Sequence, residues 1–547
     1  MPPMLQATVQ AAPTAHADTF ARDHLPPREL WPEIDLSGVP ALAGRARINA
    51  AAELVDARVA AGDGERTALV FAGGRWTYAE LMENANRIAG VLRDDLGLVP
   101  GNRVLLRGFN SPMMAAAWFG VLKAGGIVVA TMPLLRNREI TTLLDRARIR
   151  FALCDARLLD EMPGHAPSLE RTVVFGAEGD DSLEARMARQ PATFANVDTS
   201  AEDVALLAFT SGTTGQPKGA MHFHRDLLAA ADTFSAHVLR PGPDDLFCGS
   251  PPLAFTYGLG GYLLFPMRAG AATLLLEQAT PPQLLQGIQD HRATIVFTAP
   301  TAYRAMSGMV KDFDISSLKK CVSAGETLPL ATFEAWREAT GLRIIDGIGS
   351  TEMLHIFISA ADDDIRPGST GRPVPGYRAT LLGDDGQPVA PGELGRLAVR
   401  GPTGCRYLDD DERQAKYVEN GWNITGDAYR MDEDGYFWFQ ARNDDMIISS
   451  GYNIAGPEVE NALLEHPAVL ECACVAAPDE ERGHVVKAFV VLRDGNVPGD
   501  EMVKALKEFV KQQIAPYKYP RRVEFVHSLP RTATGKLQRF RLRDPAT

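Results

Sequence analysis

The run Thr210-Ser211-Gly212-Thr213-Thr214-Gly215-Gln216-Pro217-Lys218-Gly219 lies between the apolar stretch Val204–Phe209 and a helical pattern that begins near Arg225. A strand, a Gly-rich loop and a helix in that order form the unit from which α/β layers are built. Gly212 and Gly215 let the backbone turn tightly, so that consecutive N–H groups can point at one anion. The hydroxyls of Thr210, Ser211, Thr213 and Thr214 add donors, and Lys218 supplies a point charge for a phosphate. The spacing lacks the Gly-Lys-Ser/Thr ending of a Walker A loop, which excludes a P-loop NTPase. A Gly/Thr-rich surface turn is the bland alternative. An unbroken run of small, hydroxylated and basic residues argues against it.

Outward from this loop the chain alternates. Before it, helical stretches (Tyr78 to Leu92, Met113 to Ala124, Arg138 to Ala147) alternate with apolar runs at Val104–Arg107, Ile127–Ala130 and Thr172–Phe175. After it come helix Gln283–His291, strand Ile295–Thr298, helix Ala302–Lys311, strand Lys320–Ser323, helix Leu328–Ala339 and strand Arg343–Asp346. Parallel α/β layers are expected in both blocks. Beyond Arg366, Gly and Pro become frequent. Short runs such as Ala379–Leu382 and Gly395–Arg400 suggest antiparallel strands. From near Asp444 a compact α+β pattern follows: helix Gly456–Leu464, strands Val469–Ala477 and Val485–Leu492, helix Glu501–Gln513 and strand Arg522–Val526. Residues 1–45 are weakly patterned and read as a tail lying over the surface.

The 547 residues suffice for two to four domains. The net charge of −13 disfavours a general binder of nucleic acid or of anionic membranes. The charges of residues 445–547 cancel, so the whole excess sits on the N-terminal part. Residues 511–547 nevertheless carry nine basic residues against two acidic ones, read either as a solvated face or as a basic lid over a polyphosphate. The apolar stretch Met113 to Leu135 is interrupted by Lys123 and two glycines, which suits a buried helix leading into a strand rather than a membrane span. No apolar segment of a secretory leader follows the first basic residue, Arg22, and six scattered cysteines read as reduced thiols. A cytoplasmic protein is expected.

Several further segments suit one polyphosphate ligand. Ser323-Ala324-Gly325-Glu326 lies just past a strand end, where open α/β sheets place their ligands. Asp346-Gly347-Ile348-Gly349-Ser350-Thr351-Glu352 ends the next strand, and Glu352 could hold a Mg²⁺ that bridges phosphate oxygens. Thr425-Gly426-Asp427 offers a carboxylate for both hydroxyls of a ribose, and Arg442 and Asp444 stand at a change of composition. Near the C-terminus, Pro530 to Arg539 carries Lys536 in a Thr/Gly loop, a single mobile charge able to swing into a cleft. His222 and His224 could be called a metal pair, but no third ligand is near in sequence.

Together these segments resemble the adenylate-forming superfamily of acyl-CoA synthetases, peptide-synthetase adenylation domains and beetle luciferases, from about residue 50 onward. The resemblance implies a large N-terminal domain, residues 1–443, of two α/β subdomains plus a β-barrel. A small mobile C-terminal α+β domain, residues 444–547, would act as its lid. It implies that residues 210–219 hold phosphates, that Gly325, Glu326 and Asp346 to Ile348 contact adenine, and that Thr351 and Glu352 serve phosphate and Mg²⁺. Asp427 would bind ribose, Arg442 the nucleotide, Asp444 would be the hinge and Lys536 the adenylation lysine. Two positions depart from the usual pattern: Ile348 stands where the family has tyrosine, which removes an aromatic stacking partner for adenine, and Ala441 replaces glycine.

Within the superfamily, Asp346–Phe357, Ala254–Gly261 and Ala515–Pro520 look like benzoate-type aryl-CoA ligases, including 2-aminobenzoate-CoA ligases. Tyr257 and Ile356 could wall a flat ring, and Ala324, Gly325 and Gly349 leave a narrow slot. His355 could donate a hydrogen bond to a carboxylate or ring substituent. The implied reaction uses ATP, Mg²⁺ and coenzyme A. An aryl carboxylate attacks the α-phosphorus, and rotation about Asp444 then withdraws Lys536 and brings Ser449–Tyr452, with Ser450 and Gly451, to CoA. Thr210 would assist at the phosphates. A free-standing enzyme loading a carrier protein and a non-catalytic aryl-acid or nucleotide sensor are the alternatives. A homodimer is compatible with the sequence.

Overall fold

The computed structural model describes residues 12–164, 166–210, 217–442, 445–449, 452–479, 482–514, 516–531 and 537–543. Two helix-flanked sheets form the N-terminal bulk. One has six strands in the order 171–175, 151–155, 103–107, 127–131, 204–210 and 218–223. All neighbours in it are parallel except the last pair. The other has nine strands, with the parallel series 344–349, 320–324, 295–298, 246–249 and 272–274 at its centre. Strand Arg103–Arg107 is buried along its whole length, as a parallel strand covered on both faces must be. Helix Pro112–Lys123 starts on the Ser111 hydroxyl and buries every residue from Met114 to Lys123. An all-round apolar helix of this kind belongs between layers. Among the described residues no helix is long and apolar enough to cross a membrane.

The antiparallel region is a five-stranded sheet of strands 378–382, 394–400, 418–419, 422–431 and 437–442. The C-terminal unit has its own five-stranded sheet, with helices Gly456–Leu464 and Asp500–Gln513 against it. Its core (Ile447, Val459, Leu463, Val490, Leu506) forms a cluster separate from the large one beneath the N-terminal sheets. A small domain with its own core can move as a body.

Two expectations change. Between the Gly-rich loop and its helix stands a strand, Lys218–Phe223, antiparallel to Val204–Thr210, with Thr210 opposite Lys218. The Gly-rich run therefore connects two antiparallel strands instead of leading from a strand directly into a helix. Of the segment read as a tail lying over the surface, residues 12–45 are packed into the domain. Ala21, Val39, Leu42 and Ile48 are buried, and the Asp18 carboxylate accepts from Arg103 Nη1 at 2.6 Å and from Asn102 Nδ2 at 2.7 Å. All six cysteines are buried and free, and burial pushes the Cys154 and Cys321 thiols up to about 12.

Candidate active site

The C-terminal ends of strands Lys320–Ala324 and Ile344–Gly349 lie side by side, with Ser323 opposite Asp346 and Ala324 opposite Gly347. Ser323 Oγ and Asp346 Oδ1 are both buried and have no hydrogen-bond partner among the described residues. Burial pushes the Asp346 carboxyl up to about 8. Gly325 takes φ = +90°, open to glycine at little cost, and carries the chain from the buried strand to the exposed edge beside Glu326.

The turn from Ser350 to His355 is held from several sides. Met221 N donates to Arg406 O and Leu408 N to Gly219 O, so residues 406–408 add to the edge of the Gly-rich hairpin. From that edge Tyr407 reaches back, and its hydroxyl donates to Glu352 Oε1 at 2.7 Å. His222, on the neighbouring strand, places Nε2 2.7 Å from Thr351 O. Burial lowers its pKa, so the neutral ring carries its proton on Nε2 and donates it to that carbonyl. Thr403 Oγ1 donates to Met353 O. Leu354 sits at φ = +73°, a left-handed conformation worth roughly 1–3 kcal/mol of strain for such a residue. These hydrogen bonds fix it and aim His355 inward.

His355 is 4% exposed and lies among Phe234, Tyr257, Phe265 and Phe297, with the Phe265 ring at 4.5 Å between centroids. Burial drops its pKa to about 3, and Nε2 lies 3.4 Å from Tyr257 O. A carbonyl can only accept, so the proton is on Nε2 and Nδ1 is a bare acceptor; it is buried and has no partner among the described residues. This corrects the expectation of a donor. A Cβ on Gly260 would meet His355 Cδ2 at 2.3 Å, and one on Gly349 would meet the His355 carbonyl carbon at 2.7 Å, so both glycines are sterically required. Tyr257 is half-buried and hydrogen-bonds Val322 O at 3.1 Å. Ala324, 5% exposed, lies at the end of the adjoining strand. Ile356 is 2% exposed and packs against Gly347, where a Cβ would come within 2.8 Å of its side chain. Paired with Gly349 across the two strands, it lies on the face that Gly347 and Gly349 leave without side chains.

Asp427 and Arg442 face each other across paired strands, with Arg442 Nη1 3.3 Å from Asp427 Oδ1. Asp427 is nearly buried and Arg442 exposed. Arg531 of the small domain bridges Glu326 of the large one at 3.4 Å and Glu471 of its own at 3.1 Å. Arg531 also pairs with Leu537 in an antiparallel bridge. Residues 211–216, Asp444, Ser450, Gly451 and Lys536 lie outside the described residues, and Tyr452 is described only by its backbone, which pairs with Ser449. Ile348 and Thr351 are half-buried beside Gly349 and Glu352.

The described residues contain no group of three or more His, Cys, Asp or Glu side chains able to hold a metal ion. His222 and His224 bond to different elements, Thr351 O and the Ala50 amide, which removes the histidine-pair reading. Glu352 has one oxygen engaged by Tyr407, and its second accepts no hydrogen bond from the described residues. A lone half-buried carboxylate suits Mg²⁺ held largely by water and substrate phosphates, and does not suit an all-protein cage.

Residues 56–406 match the family model described as AMP-binding enzyme, and residues 458–536 match the AMP-binding enzyme C-terminal domain. The benzoate–CoA ligase of Thauera aromatica is 38% identical over 92% of this chain and 97% of that protein. Among solved structures, the anthranilate CoA ligase AuaEII in complex with anthranoyl-AMP superposes with a TM-score of 0.87. It is 36% identical, over 91% of this chain and 96% of that one. A benzoate CoA ligase from Burkholderia xenovorans LB400 superposes with a TM-score of 0.83 at 32% identity, over 91% of this chain and 100% of that one.

Proposed function

The chain belongs to the AMP-binding enzyme family as an acid–thiol ligase, and from that premise we propose that it joins an aromatic carboxylate to coenzyme A through an aryl-AMP intermediate. The observation that carries the aryl assignment is the aromatic cluster of Phe234, Tyr257, Phe265 and Phe297 around His355, beside the strand ends that bear Asp346 and Glu352. Flat aromatic walls next to phosphate and ribose ligands suit a ring whose carboxylate must meet an α-phosphate.

In the first half-reaction the carboxylate displaces pyrophosphate in line at the α-phosphorus. The protein's task there is positioning and charge neutralisation. Thr210 and Lys218 flank the mouth of the hairpin that would hold the β- and γ-phosphates. Ser323 Oγ and Asp346 Oδ1, both lacking partners, suit the polar edge of adenine, and Asp427 suits the ribose hydroxyls. Glu352 would hold Mg²⁺, which neutralises phosphate charge when bound. Lys536 would meet the carboxylate and the α-phosphate. The Arg531–Glu326 contact supports a lid closed for this step. In the second half-reaction the lid turns about Asp444, Ser449–Tyr452 reach the cleft, and the CoA thiolate attacks the aryl carbonyl with AMP leaving.

The substrate we infer is 2-aminobenzoate. His355 Nδ1 is a buried acceptor without a partner, and an ortho amine is a donor. Leaving a buried acceptor unmade costs about 1–3 kcal/mol, so filling it is worth roughly a tenfold preference. CoA-dependent AMP release with MgATP, measured across 2-aminobenzoate, benzoate, 4-hydroxybenzoate and a medium-chain fatty acid, tests this. The expected kcat/KM is highest for 2-aminobenzoate, by about tenfold over benzoate, with the fatty acid far below. Equal values for the two benzoates would overturn the amine assignment, and preference for the fatty acid would overturn the aryl one.

A further inference from the structure

Tyr407 lies outside every motif that the reaction uses, yet it is 1% exposed and its hydroxyl has Glu352 Oε1 as its hydrogen-bond acceptor at 2.7 Å. Its backbone pairs with Ala220, in the strand that runs directly out of the Gly-rich hairpin through Lys218. The ring is wedged edge-on against Tyr417 at 5.8 Å, and Tyr417 in turn lies 3.4 Å, hydroxyl to hydroxyl, from Ser350. Tyr407 N donates to Gln414 Oε1, whose amide also ties to Leu30 O and Cys405 O. One residue earlier, Arg406 is anchored by a fully buried ion pair with Asp226. Backbone and ring of Tyr407 are therefore both fixed, and the free choice left to the side chain is where its hydroxyl points.

We infer that Tyr407 is a positioning residue that locks the Glu352 carboxylate in register with the phosphate-binding hairpin, so that a divalent cation bound with ATP meets both at once. The inference rests on the reading of Glu352 as the residue that holds Mg²⁺. The geometry favours it over a mere core contact. Tyr407 spends its hydroxyl on one oxygen of Glu352 and leaves the other to a hydrated cation, which fixes the carboxylate plane. His222, on the strand with which Tyr407 pairs, does the same for the Thr351 carbonyl at 2.7 Å, so hairpin and turn are stapled at two adjacent points. A phenol is suited to this task because it donates without carrying a charge that would compete with the cation.

The test is equilibrium binding without turnover, reading free Mn²⁺ by electron paramagnetic resonance in titrations of MnATP, alongside titrations of metal-free ATP followed by calorimetry. Tyr407→Phe keeps the ring and removes only the donor. It is expected to weaken MnATP five- to twentyfold while metal-free ATP changes less than twofold and the melting temperature holds. Glu352→Gln is expected to weaken MnATP at least as much, and the double variant no further than Glu352→Gln alone, because Tyr407 acts through Glu352. If Tyr407→Phe leaves MnATP binding unchanged, or weakens metal-free ATP equally, the positioning role is overturned while Glu352 stands. If Glu352→Gln itself leaves MnATP unchanged, the reading of Glu352 fails and this inference fails with it.

Discussion

Lys536→Ala is expected to lower aryl-acid-dependent pyrophosphate–ATP exchange by about 10²–10³-fold, while thioester formation from supplied aryl-AMP and CoA stays within a fewfold of the unaltered protein. The size follows from removing one preorganised charge aimed at the developing negative charge of the transition state, worth about 3–4 kcal/mol. The asymmetry follows from the two lid positions proposed for the two half-reactions. The stem of the segment before Lys536 is tied by Arg531 to Glu326, on the nucleotide side of the cleft. Under the proposed mechanism Lys536 serves the step that makes the acyl-phosphate bond. In the proposed second step the lid has turned away, so the thioester step does not need the lysine. Equal loss of both half-reactions would contradict this division of labour, and would point to a structural role for the C-terminal loop.

Asp226→Asn is expected to cost about 3–5 kcal/mol of stability, read as a fall of several degrees in the melting temperature. Asp226 and Arg406 have no exposed side-chain surface and meet at 2.9 Å. The guanidinium lies 4.1 Å from the Phe223 ring centroid and 4.9 Å from that of Trp31, while its Nε and Nη2 make no hydrogen bond. Burial already lowers the Arg406 pKa, and Asp226 is the first charge that offsets it. An isosteric amide leaves the cation stranded between two aromatic faces. The double variant Asp226→Leu/Arg406→Met removes both charges and is expected to recover much of the loss. A single variant no less stable than the unaltered protein would show that the aromatic faces alone hold the guanidinium.

The layered architecture was legible in the sequence wherever periodicity and turn residues agreed. Strand Ile295–Thr298 and helix Gly456–Leu464 fall where their apolar patterns put them. Strand Lys218–Phe223 was not legible, because Gly219 and His222 interrupt its apolar run and the following helix begins at once. The N-terminal segment escaped for another reason. Trp31, Val39 and Leu42 pack one at a time as the chain crosses the domain, so they show neither a 3.6 nor a 2 period. The site divides in the same way. Phosphate and ribose candidates sit in short contiguous motifs whose residue types suggest them, and the adenine candidates followed from the family resemblance of such motifs. The supports of those motifs are separated too far for any spacing to reveal. Tyr407 stands 55 residues from Glu352, and His222 stands 129 from Thr351. His355 was found, but the polarity of its free nitrogen required the Tyr257 carbonyl to be placed.

In the proposed reaction an aromatic acid is activated as an adenylate and handed to coenzyme A on this one chain. The direct measurement is a chromatographic and mass-spectrometric product balance after incubation with 2-aminobenzoate, MgATP and CoA. The account predicts aryl-CoA, AMP and pyrophosphate in equal amounts, with no aryl-AMP accumulating while CoA remains. Aryl-AMP that persists beside untouched CoA would contradict it and mark an enzyme that loads a carrier protein. Binding of acid and nucleotide with no AMP released would contradict it in favour of a sensor.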